Sequence, residues 1–142
     1  MRYFLAATVI VVSTLTATVR ADDAEDLKDT VWKPTEGKNA GTPFPKDELD
    51  AITLLLTDGK YQVKHLGQDE GGTFKIDATK TPKTMDITAV EGQNKGKTVL
   101  AIYELSGDTL KVCYDAKGGP RPAMFESTAD NKLVLVVYKK KK

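Results

Sequence analysis

From Ile52 to Tyr138 apolar side chains return at every second residue, in short runs separated by turn formers. That period belongs to strands with one face buried and not to helices, whose apolar residues recur every three or four positions. Ile52, Leu54 and Leu56 alternate with Thr53, Leu55 and Thr57. Asp58-Gly59 follows, a favoured two-residue hairpin turn because glycine accepts positive φ. Tyr61, Val63 and His65 then alternate with Lys60, Gln62 and Lys64. Gly71-Gly72 reads as the next turn, and Phe74 and Ile76 share a face beyond it. Thr81-Pro82 breaks the chain before Met85, Ile87 and Ala89. Glu91 to Lys97 reads as a polar loop before an apolar strand over Thr98 to Leu105. Ser106-Gly107-Asp108 turns into Leu110, Val112 and Tyr114. A stiff loop, Gly118 to Pro122, precedes a weak strand over Ala123 to Thr128, and Lys132 to Lys139 forms the last strand.

About nine short strands at such spacing imply an antiparallel sandwich or barrel. Neighbours joined by tight turns make an up-and-down meander, and closing it removes both exposed edges. The expected fold is therefore mainly β: an antiparallel up-and-down barrel of eight to nine strands with one or two short helical turns. The helical turns fall upstream. Asp22 to Asp29 is an acidic lead-in suited to a helix N-terminus. Pro45 to Ala51 suits a short helix with proline at its first position. Between them, Val31-Trp32-Lys33 starts a strand and Pro34 to Pro45 reads as a loop.

Residues 1–21 differ from the rest. Arg2 gives a positive start, Tyr3 to Val19 is an uncharged run of 17 residues, and Val19-Arg20-Ala21 offers small residues for cleavage. This is the layout of a secretory signal peptide. The run is short for a membrane span, which needs about 20 apolar residues. The expectation is a leader over 1–21 and one domain over 22–142, exported to the periplasm or outside the cell, with no transmembrane span after cleavage. Without Arg2 and Arg20 the chain has 19 basic against 20 acidic residues, a net of −1. No global field therefore draws it to nucleic acid. Cys113 is the only cysteine, so no intrachain disulfide staples the domain.

Motifs that carry chemistry fail one by one. Gly92 to Thr98 resembles a phosphate loop, but only three residues separate Gly92 from Gly96-Lys97-Thr98 and a strand follows. The motif needs four, and a helix whose N–H groups meet the phosphate. His65 is the only histidine, too few for a zinc site, which draws three or four ligands from His, Cys or acids. A cysteine nucleophile needs a histidine base in reach, and nothing in the sequence brings His65 to Cys113. The carboxylates fall mostly in turns and in the acidic lead-in, without the convergence that glycoside hydrolysis requires. Catalytic residues, metal and cofactor are all read as none. Lys139 to Lys142 reads as a gatekeeper beside an apolar strand, or as a charge set against the acidic N-terminus.

Several segments resemble an uncharacterised family of small exported domains, abundant in planctomycete bacteria and similar in layout to lipocalins. They are Gly72 to Asp77, Thr79 to Ile87, Glu91 to Thr98, Ile102 to Leu105 and Gly107 to Tyr114, with Arg121-Pro122 and the apolar last strand. The resemblance implies a lipocalin-like barrel and no particular activity. Lipocalins carry a glycine two residues before a first-strand tryptophan. Trp32 is present here, but Thr30 stands in place of that glycine.

The leading expectation is a non-enzymatic exported barrel that binds a small apolar or amphipathic ligand or an envelope component. Trp32, Tyr61, Phe74, Tyr103 and Tyr114 would line its interior, and Arg121 would sit in a mouth loop. A second reading is an interaction or structural module of the envelope, because Leu133 to Tyr138 is apolar on both faces. A carboxylate-based hydrolase is the least supported. Oligomeric state is left open.

Overall fold

The computed structural model describes residues 22–142; the expected leader, residues 1–21, lies outside the described residues. The chain is mainly β, with two short helices, α1 (Asp23–Leu27) and α2 (Lys46–Ala51). The strands are β1 (Thr30–Asn39), β2 (Thr42–Pro43), β3 (Ile52–Leu56), β4 (Lys60–His65), β5 (Glu70–Asp77), β6 (Lys83–Glu91), β7 (Thr98–Ser106), β8 (Thr109–Tyr114) and β9 (Val134–Lys140). All neighbours pair antiparallel in the order β1-β3-β4-β5-β6-β7-β8-β9, and β1 pairs back onto β9. Eight strands thus close an up-and-down barrel, with β2 as an extra two-residue strand beside β1.

Closure depends on β1, and here the sequence reading is corrected. The segment from Pro34, expected as a loop, continues as strand to Asn39 and pairs with β9 from Trp32↔Lys140 to Asn39↔Val134. The register shifts between Pro34 and Glu36. A bulge is one of the few places a sheet tolerates proline, which has no N–H for the ladder. At Ala40-Gly41 both residues have positive φ, 50° and 81°, the requirement of a tight hairpin turn, and the chain folds back into β2. On its other edge β1 pairs with β3 only over Thr30 to Trp32. Above that point the two strands part and α2 fills the gap. Lys33 Nζ donates to the carbonyls of Asp50 (2.9 Å) and Ile52 (2.5 Å), fastening α2 to β1.

Two further expectations fail. Gly71 and Gly72 do not turn the chain but lie within β5. A Cβ on Gly72 would strike the backbone of Thr88 and Ala89, so glycine serves close strand approach at a bulge rather than a turn. The turn falls earlier, at Leu66-Gly67, again a pair of positive φ values. Ala123 to Thr128 forms no strand. The loop carrying Arg121 and Glu126 instead straps the outer wall. Beneath it lie Ile102 and Cys113, cross-strand partners that are 1% and 0% exposed, with Leu135 beside them. One outward stretch of β9, expected to need a helix, a loop or a partner over it, is thus covered in part by a loop of the same chain.

One end of the barrel is sealed by α1. Asp22 caps the helix, its Oδ1 accepting from Ala24 N–H at 3.0 Å. Leu27 and Trp32 beneath it are both 0% exposed. Thr30 joins them: its hydroxyl donates to Leu27 C=O (2.6 Å) and accepts from Trp32 Nε1 (2.7 Å). Asp23 Oδ2 accepts from Lys83 Nζ and from Tyr103 OH, both at 2.8 Å, tying α1 to β6 and β7. The Lys tail runs beside the acidic α1: Lys140 lines one groove with Asp23 and Asp26, Lys142 pairs with Asp108 at 3.6 Å, and the buried Asp23 itself is answered by Lys83.

Candidate ligand cavity

Residues directly opposite in an antiparallel pair share a face, so the ladder registers fix which side chains point inward. Leu54, Val63 and Glu70 form one such row across β3, β4 and β5. Leu56, Tyr61 and Gly72 form the next, and Tyr103, Val112 and Val136 another across β7, β8 and β9. These rows converge on an interior that is packed solid near α1 and hollow above it. The hollow measures about 400 Å³. This lies within the range of small-molecule pockets, about 300–1,000 Å³. Its wall is apolar: Leu54, Leu56, Phe74, Met85, Ile87, Leu110, Val112 and Val136, with Phe44 and Leu49 from the α2 side. Its rim, at the end away from α1, is polar: Gln68 and Asp69 from the β4–β5 turn, and Gln93, Asn94 and Lys97 from the β6–β7 loop.

A few polar groups stand inside this apolar wall. The Glu70 carboxylate accepts from Tyr61 OH at 3.2 Å and from Asn94 Nδ2 at 2.9 Å. Burial, reinforced by the Glu70 charge, pushes the Tyr61 phenol well above its ordinary value. Tyr114 is pushed up to about 12, first by burial and then by the same carboxylate. Burial likewise raises Tyr138, with a smaller effect from Tyr114. Tyr61, Glu70, Tyr114 and Tyr138 all line the hollow, and of these Tyr61 and Glu70 are joined by a hydrogen bond. Beside them, His65 Nε2 is buried with no hydrogen-bond partner among the described residues.

Of the five aromatics expected to line the interior, Tyr61, Phe74 and Tyr114 line the hollow. Trp32 and Tyr103 also point inward but belong to the sealed floor, where each is tied by its polar atom to Thr30 or Asp23. Arg121 is corrected. It lies in the strap, where its guanidinium donates to Ala101 C=O (2.7 Å) and pairs with Asp86 (2.5 Å) on the outer wall. Asp86 alternates with the inward Met85 and Ile87, so Arg121 clamps the outside of the barrel. His65 and Cys113 lie on opposite sides of the wall and form no nucleophile–base pair. Burial raises the Cys113 thiol, which reaches only Glu126 C=O at 3.7 Å. No three His, Cys, Asp or Glu among the described residues are placed to hold a metal ion, and no described helix is long and apolar enough to cross a membrane.

Glu70, Tyr138 and His65 escaped the sequence reading as site residues. Glu70 was obscured because Gly71-Gly72 looked like a turn. Counting back by twos from Phe74 through Gly72 puts Glu70 on the inner face once β5 runs through the glycines. No protein-family model, curated protein or solved structure matches this chain, so the site stands on its own geometry.

Proposed function

We propose that this protein is an exported carrier or sensor barrel that binds a small amphipathic molecule in the hollow above α1. The single observation behind this reading is the hollow itself. It has an apolar wall, a polar rim, one end sealed by a fastened helix and a few converging polar groups. Removing an apolar body from water contributes roughly 25 cal/mol per Å² of buried surface. The rim leaves a polar head hydrated. The leader-like residues 1–21 support export.

Val136 tests the reading, because its side chain is 7% exposed and shares an inward row with Val112 and Tyr103. A tryptophan there grows into the hollow. A fluorescent apolar probe is expected to bind the native protein saturably and to bind Val136→Trp roughly tenfold more weakly. Unchanged probe affinity in a folded Val136→Trp protein overturns the proposal.

A further inference from the structure

Taking the hollow as a binding site, we infer that its ligand is a single-chain amphiphile with a cationic ammonium head, held at the mouth by the Glu70 carboxylate. The carboxylate is half-buried on the inner face of β5, opposite Val63. Its two partners, Tyr61 OH and Asn94 Nδ2, are neutral donors. The ion pairs among the described residues are Lys46–Asp50, Lys83–Asp23, Arg121–Asp86 and Lys142–Asp108, so Glu70 has no cation of its own. Lys97, exposed on the rim, stays beyond pairing distance. A carboxylate withdrawn from water is costly until an opposite charge meets it.

The surroundings suit a cation. Tyr61 and Tyr114 bring aromatic rings to the same region, and ring faces attract ammonium groups. An ammonium has three donors and no acceptor. The acceptors it can meet here include the Glu70 oxygens, the hydroxyl oxygen of Tyr114 and, on the rim, the Asp69 carboxylate. An anionic head in the same place would face the like charge of Glu70 and be repelled by it. Around it Leu54, Met85, Ile87 and Val112 offer apolar surface. At roughly 30 Å³ per methylene-sized group, taking the liquid volume of a water as the guide, about 400 Å³ holds about a dozen non-hydrogen atoms. A chain of about ten carbons with its head fits.

Isothermal titration at pH 7 with decylamine, decanoate and 1-decanol, each below its micelle-forming concentration, separates the alternatives. Decylamine is expected to bind roughly tenfold tighter than decanoate. Glu70→Gln, shown to be folded by a native near-UV circular dichroism spectrum, is expected to abolish that preference. Decanoate binding as tightly as decylamine overturns the inference, and so does a preference that survives in Glu70→Gln. In those cases continued binding of 1-decanol leaves the hollow standing as a binding site. Failure of all three compounds to saturate the protein overturns both.

Discussion

His65 shows how a single side chain can be at odds with its surroundings. Its position on β4 places the ring inward by strand alternation, and Nε2 ends up buried without a partner. Such a group costs about 1–3 kcal/mol relative to a satisfied one. Replacing it with an apolar ring of similar shape removes that penalty. The His65→Phe protein is expected to be more stable than the parent by about 1 kcal/mol in urea denaturation without ligand. A loss of stability of that size would mean that the imidazole has a partner in solution. Thr30 is the opposite case. Its one hydroxyl both donates and accepts, joining α1 to Trp32.

At the scale of elements, the sequence announced most of the barrel and hid its seam. Strands β3, β4, β6, β7, β8 and β9 were legible because alternating or continuous apolar runs stand between turn formers. The upper half of β1 was not. Pro34, Gly37 and Asn39 are loop-like locally, and only pairing with a strand about a hundred residues away holds them extended. The glycine pair in β5 misled for a related reason: its role is close approach to β6, which local sequence does not encode. The strap carrying Arg121 and Glu126 has polar and proline residues like any surface loop, yet Arg121 and Cys113 anchor it across the outer wall. Three of the five expected lining aromatics reach the hollow. Alternation sets which way a side chain points but not its depth, and depth separates Trp32 and Tyr103 in the floor from Tyr61, Phe74 and Tyr114 above.

The whole molecule concentrates four tyrosines inside one barrel, and that has a consequence at high pH. Tyr61, Tyr103, Tyr114 and Tyr138 all ionise above the ordinary value of 10.0 in the folded state, chiefly because burial disfavours the phenolate. Their folded values are raised, so their contribution is complete below about pH 10 and is lost as pH climbs toward the folded values. Each then removes about 1.4 kcal/mol per pH unit, and four together roughly 5 kcal/mol per unit. A domain of ordinary stability, about 5–15 kcal/mol, is expected to unfold not far above pH 11. Absorbance should show the four phenols ionising together with loss of tertiary circular dichroism. Separate ionisation near pH 10 with the fold intact would contradict this.

The central claim is that the barrel is hollow above α1 and that the hollow is where a small amphiphile goes. Residue-resolved NMR of the isotopically labelled protein during a 1-decanol titration tests it most directly. Saturable shifts are expected at Leu54, Tyr61, Val112 and Val136, which face the hollow, with Cys113 and Arg121 on the outer wall unmoved. Shifts confined to the strap and outer wall, or none that saturate, would contradict the account.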